Sequence, residues 1–441
     1  EVEYAFHGDF DGKGYTIRNL RLNKYGNYDH IGLFGAIRDS KVHDVKIIPD
    51  KEVKGNDRIG TVVGYAVDSE IRNVTVKNAA LNTSGIAGGI AGEISGTVIE
   101  NTICDNVIID AQAGNEVIYI GGVAGIASDS VIADCDVATG TGNTARIQGT
   151  GYTGGIVGFQ NSTDIYNVHI NGTIGGYHST AIGGITGNYV SGKLKVARFE
   201  GSIGNSQLGS MAREGTFIGT RQGAATNFNY IDDVAYLFAN SESKISANVC
   251  GSEIADDNDY TYAAHIGYWH SSDLYYTLVQ GGTSKNMTDQ YFYEELEDGI
   301  LTVMDENEDS RYTIDHFAPN SVGRPVRGYL IIVNQIDTTA NGRNFYDVAL
   351  LEAKGASQYS KVLNKNNRGA VAAGSIVYVN TSPNDTETEK FQMSGTPYYI
   401  NADGISKNTA YSADSHCYTF KMPEEDIVID GTYKKVAVAV H

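Results

Sequence analysis

Six short clusters closed by glycine recur at a near-constant interval, and that interval narrows the fold more than any other feature of the chain. Gly35, Gly64, Gly92, Gly125, Gly158 and Gly187 end the stretches GLFG, TVVG, GIAG, GVAG, GIVG and GITG, at separations of 29, 28, 33, 33 and 29 residues. Only Thr61 breaks the leading glycine of these six. Behind each copy comes a run of alternating apolar and polar residues: KVHDVKI, EIRNVTV, VIENTIC, VIADCDV, DIYNVHI and KLKVARF. Alternation at period two marks a half-buried strand. A unit of about 30 residues cannot bury its apolar face alone, so it must stack on a neighbour in a solenoid, propeller or array. Two or three strands of five to seven residues fill roughly 30, which suits one coil of a parallel β-helix better than a propeller blade of about 40 or more.

Stacked in register, Leu33, Val62, Ile90, Val123, Ile156 and Ile185 form an aliphatic ladder inside the cylinder. The flanking glycines then serve close packing between coils or a backbone angle open mainly to glycine. Asn19, Asp44, Asn73, Asn101, Asp134 and Asn167 form a second, polar ladder at a corner, where Asn and Asp tolerate left-handed geometry. GTFIGTRQ places Gly219 32 residues beyond Gly187 and predicts one more coil. HIGYW, at His265 to Trp269, aligns with His30 to Phe34 and predicts a degenerate final coil with Trp269 in the place of Phe34.

Composition agrees with an all-β chain that folds: 52 glycines, 29 tyrosines and 6 prolines in 441 residues, with 41% apolar and 20% charged residues. The excess of 53 acidic over 33 basic residues gives a net charge of −20, which disfavours nucleic acid and anionic lipid as partners. No apolar run reaches the roughly 18 to 20 residues of a membrane helix, so direct membrane insertion is not expected. Cys104, Cys135, Cys250 and Cys417 show no metal-binding spacing and are expected as buried free thiols, a Cys104–Cys135 bridge being the alternative if their coils stack.

FHGDFDGKGYTIRNLRLN, followed by IGLFG and a strand carrying Asp or Asn, resembles the GLUG-type repeat of bacterial surface proteins. The residues that carry the likeness are Phe6, Gly8, Phe10, Asp11, Gly12, Gly14, Tyr15, Thr16 and Ile17, and the copies span about residues 6 to 204. The resemblance implies an extracellular, secreted or cell-wall-anchored setting. It is shared by adhesin-like proteins and by the non-catalytic N-terminal region of zinc metallopeptidases that cleave immunoglobulin A, and it implies no active site.

The repeat loosens after Gly204. Tyr260, Tyr262, Tyr268, Trp269, Tyr275 and Tyr276 form the core of the densest aromatic cluster. They read either as a binding surface, because Tyr and Trp give large contact area at low entropic cost, or as a cap over the open end of the solenoid. From about Val322 the strands PVRGYLIIVNQI, NFYDVALLEA, GSIVYVNTS and CYTFKMPEEDIVIDGTYKK lack the period and predict a small antiparallel β-sandwich or a pair of them. YTFKMPEEDIVIDGTYK, with Phe420, Met422, Pro423, Asp426, Val428 and Tyr433, resembles the closing strands of small modules in Gram-positive surface proteins. The expected domains are residues 1–315, the β-helix, and 316–441, the sandwich. EVEYAF and VAVAVH read as cut mid-element, so a larger wall-anchored parent chain is expected.

Motifs for catalysis are few. H-E-x-x-H, G-x-S-x-G and Walker patterns do not occur in the sequence. Asp256, Asp257 and Asp259 with Glu294, Glu295 and Glu297 are the carboxylates a glycan-processing β-helix would use. Asp305, Asn307 and Asp309 have the spacing of a calcium loop, but Ser310 stands where Gly is required and His316 where a bidentate Glu is required, so no cofactor is expected beyond a looser calcium site. The sequence therefore predicts a non-catalytic, adhesin-like module that binds a host protein such as an immunoglobulin or a glycoprotein. The accessory region of an immunoglobulin-cleaving metallopeptidase is the main alternative.

Overall fold

The computed structural model describes residues 4–222 apart from 23–28, 51, 112–117, 141–145, 176–179 and 204–212; further on it describes Cys250, the strands given below and much of 368–436. The described residues are strands and turns without a helix. The chain divides into two compact units, Glu1–Glu295 and Leu296–His441.

The first unit is a parallel β-solenoid. One face stacks Phe34–Arg38, Val63–Val67, Ala91–Ser95, Ala124–Ser128, Val157–Asn161, Thr186–Tyr189 and Ile218–Arg221 in sequence order. A second seven-stranded face runs from Asp29–Ile31 to Arg213–Gly215, so the coil expected at Gly219 is present on both. The alternating runs build the longest face, through Lys41–Pro49, Glu70–Lys77, Val98–Asp105, Val131–Ala138, Asp164–Ile174, Leu194–Ile203 and Val234–Asn240. Every pairing along these three stacks is parallel and one coil apart. Val62, Ile90, Val123, Ile156 and Ile185 are fully buried, and Leu33, in the first coil, is half-buried. Their corner is itself hydrogen-bonded: Ile90 N donates to Val123 O at 3.0 Å, and Val123 N to Ile156 O at 2.9 Å.

The glycines act by close approach. A Cβ on Gly32 would lie 2.7 Å from Val63 Cα, and one on Gly187 would lie 2.7 Å from Thr153 N. Left-handed backbone falls instead on the polar column, where Asp44, Asn73, Asn101, Asp134 and Asn167 have φ between 48° and 55°; Asn19 is left-handed too, but it lies at the register shift between Arg18↔Ile48 and Leu20↔Pro49 and not opposite Asp44, so the column does not include it. Each residue of the column bends its strand and interrupts the alternation, so that Val42 and Val45, three residues apart, both point inward. Asn73 donates to Asp44 at 2.9 Å, Asn101 to Asn73 at 2.7 Å and Asn167 to Asp134 at 2.6 Å. Cys104 and Cys135 occupy adjacent coils but sit diagonally, Cys104 opposite Val137 and Cys135 opposite Thr102. Both are buried free thiols, which excludes the bridge considered as an alternative.

HIGYW departs from expectation. His30 to Phe34 spans two faces with a turn between them, whereas Ala264–Trp269 is one continuous strand paired parallel to Val234–Asn240 on the longest face. Trp269 therefore does not take the place of Phe34. The sheet then reverses into an antiparallel hairpin, Tyr275–Gln280 with Thr283–Thr288.

In the second unit, Ile331, Val333, Val371, Ile427, Ile429 and Tyr399 from one sheet share a core with Val377, Val379 and Phe420 from another, the sandwich arrangement. Its pairings are antiparallel except Pro325–Val333 beside Ile427–Asp430. Tyr312–Ile314 pairs with Pro325–Val333, so the expected boundary at 315/316 falls inside this unit.

Candidate functional site

Tyr260 and Tyr262 lie outside the described residues, as do the carboxylates at 256–259 and 294–297 and the loop residues 305–310. The other four aromatic positions fall on the two strands where the parallel stack ends. Tyr268 and Trp269 close the strand Ala264–Trp269, and Trp269 stands opposite Tyr276 in the antiparallel register. Tyr275 is paired with Thr288 on the next strand. Sequence proximity alone grouped these residues; the hairpin is what sets Trp269 against Tyr276.

On the described solenoid, aromatic residues stack from coil to coil. Tyr119 and Tyr152 have ring centroids 5.3 Å apart and are nearly parallel at 11°, with Phe159 edge-on to Tyr119 at 5.1 Å. His30 stacks on Tyr65 at 5.8 Å. Burial pushes the phenols of Tyr65 and Tyr119 up. These rings pack face to face or edge to face against one another, which makes them inter-coil packing rather than an open platform. A cleft of about 340 Å³ is lined by Gly55, Asn82, Thr83, Ser84 and Asp110 and presents a mainly polar wall.

The outer side of the longest face carries ionic ladders that run across coils. Lys41 pairs with Glu70 at 3.5 Å, Arg72 with Glu70 at 3.3 Å and with Glu100 at 2.8 Å. Partly exposed pairs of this kind contribute about 0–1 kcal/mol each. Further along, His169 is 9% and Arg198 5% exposed, with Asp136 3.2 Å from His169 Nδ1, Glu200 3.5 Å from its Nε2, and Arg198 bonded to Glu200. Burial, aided by the Arg198 guanidinium, lowers the His169 imidazole to about 3 in spite of the nearby carboxylates. Burial to that depth makes His169 a neutral, hydrogen-bonding member of this face beside Asp136.

The first coil holds a different group. Asp11 stands opposite His43 in register, and Asp44 follows in the left-handed column. His43 Nδ1 lies 2.6 Å from Asp44 Oδ2 and 3.9 Å from Asp11 Oδ1, while Nε2 lies 2.8 Å from Asp9 Oδ1. The bond to Asp44 holds the His43 imidazole above its ordinary range, and that bond, with the Asn73 amide, holds the Asp44 carboxyl below its own. Among the described residues, Asp11, His43 and Asp44 are the one set of three placed to share a metal ion. Reading the sequence residue by residue missed them; the signal was the repeat register, which lays DFDG over KVHD one coil on.

No protein-family model matches the chain. A stretch of 104 residues, 23% of the chain, is 31% identical to halomucin of Haloquadratum walsbyi. That stretch is 1% of halomucin, so the chain spans only a very small part of the curated relative it matches.

Proposed function

We propose that this chain is an extracellular, non-catalytic surface module whose solenoid serves as a scaffold and whose aromatic end binds a host protein, an immunoglobulin or a glycoprotein being the partner class implied by the GLUG-type resemblance. The observation that carries the reading is the change of architecture at Trp269. A stack of parallel coils gives way there to an antiparallel hairpin that sets Trp269 opposite Tyr276 and places Tyr275 beside it. Aromatic residues concentrated at one end of a rigid scaffold suit protein recognition. The coiled architecture supports the coarser reading of a surface module. So does the match to halomucin, although the shared stretch is 1% of that protein.

The test is retention of serum, mucus and purified immunoglobulin proteins on the immobilised chain, repeated with Tyr275→Ala and Tyr276→Ala together. The expected outcome is a specific host protein whose retention falls at least tenfold in the double variant, the loss on the order of 1.4 kcal/mol that a modest hot spot gives. Retention of no host protein by the folded chain overturns the binder reading; undiminished retention by the double variant overturns the assignment to this hairpin.

A further inference from the structure

We propose that Asp11, His43 and Asp44 form a binding site for a first-row divalent transition-metal ion of the Zn²⁺ type. One ligand atom from each side chain lies within 4.8 Å of the other two. A tetrahedral zinc with bonds of about 2.0–2.2 Å sets its ligand atoms roughly 3.4 Å apart. His43 Nδ1 is now 2.6 Å from Asp44 and 3.9 Å from Asp11, so shifts on the order of 1 Å reach that geometry. The side chains of His43, Asp11 and Asp44 are 26%, 39% and 42% exposed and have room to make them.

The surroundings distinguish this group from a solvated acidic patch. Asp9 sits on the far side of the imidazole, 2.8 Å from Nε2. By accepting the Nε2–H it fixes the tautomer whose Nδ1 lone pair faces the two carboxylates, the carboxylate–histidine–metal relay that orients ligands in zinc sites. Asn73 donates to Asp44 Oδ1 at 2.9 Å, which leaves Oδ2 turned toward His43. Three acceptors then converge on one point, where either a proton or a metal cation must sit. Gly12 N bonds His43 O at 2.8 Å and Gly14 N bonds Asp44 O at 2.7 Å, so the turn carrying Asp11 is tied to the strand carrying the other two ligands.

A nitrogen ligand beside two carboxylates selects zinc and its neighbours over Ca²⁺ and Mg²⁺, which favour all-oxygen sets. Lys13, 3.6 Å from Asp11 Oδ2, is 73% exposed and can swing away when a cation enters. The site does not propagate along the solenoid, because the positions in register beyond His43 are Arg72 and Glu100.

Calorimetric titration of the whole chain with ZnCl₂ near neutral pH, with Co²⁺ absorption as a spectroscopic probe, tests the proposal. The expected result is one ion per chain, lost in His43→Gln and weakened at least tenfold in Asp44→Asn. Asn fills the same column at Asn73, Asn101 and Asn167, so Asp44→Asn keeps the fold, and a melting curve checks this. Asp9→Asn, which removes only a positioning residue, lowers affinity about ten- to a hundredfold yet restores the Co²⁺ band at saturating metal. Absence of a saturable site, or one-ion binding that survives His43→Gln unchanged, overturns the proposal.

Discussion

Val196 continues the left-handed column with φ 55°, where the coils before it place Asn or Asp. A β-branched residue in that region is strained by about 1–2 kcal/mol. Asn167, one coil earlier, has its Oδ1 buried without a hydrogen-bond partner. Val196→Asn relieves the strain and places an amide where it can donate to that oxygen. The relieved strain and the new hydrogen bond are expected to outweigh the lost apolar burial, raising stability by about 1 kcal/mol in chemical denaturation; a decrease would show that burial of the valine dominates. His169 sets a second residue-scale expectation. Its folded value, about 3, is depressed below the unfolded 6.5, so the folded state binds fewer protons. Its contribution is complete above pH 6.5 and is lost as pH falls from there toward 3, with a slope of up to about 1.4 kcal/mol per pH unit. Asp136, Glu200 and Arg198 are the charged groups around it. His169→Gln should flatten the acid limb of the stability–pH profile, measured by denaturant midpoints across that window.

At the scale of the element, each coil depends on glycine where two backbones approach, and the demand is unequal along the stack. A Cβ at Gly187 meets Thr153 N at 2.7 Å and Gly158 O at 2.8 Å, both backbone atoms that cannot step aside. At Gly35, in the first coil, the nearest atom is His30 O at 3.1 Å. Gly187→Ala is expected to cost about 1–3 kcal/mol and Gly35→Ala no more than about 0.5 kcal/mol, a contrast read from paired melting curves. The period announced both glycines equally. Their difference was not legible, because it depends on whether a coil lies against that side.

At the scale of the whole molecule, the apolar ladder is continuous from coil to coil, so a cavity in the middle weakens the stack in both directions. Ile156 is fully buried between Val123 and Ile185, and Ile156→Ala is expected to cost about 2–5 kcal/mol, measured by denaturant unfolding of the whole chain. The second unit has its own core, built from strands that lie far apart in sequence, such as Ile331 with Ile427 and Val377 with Phe420.

What the sequence determined by itself was everything tied to the 30-residue period: the coil, the aliphatic ladder, the column of Asn and Asp, and the coil closing at Gly219. A repeat that must stack on its own copies writes its inter-coil contacts into the interval between them. Tertiary structure alone decided the rest, because it depends on partners that the interval does not name. HIGYW has the letters of a repeat, yet it pairs with Val234–Asn240 as a single strand. Parallel pairing of Pro325–Val333 with Ile427–Asp430 joins segments about a hundred residues apart. Asp9, Asp11, His43 and Asp44 meet because a turn before the first long strand is hydrogen-bonded across it, which converts ordinary exposed side chains into one group around an imidazole.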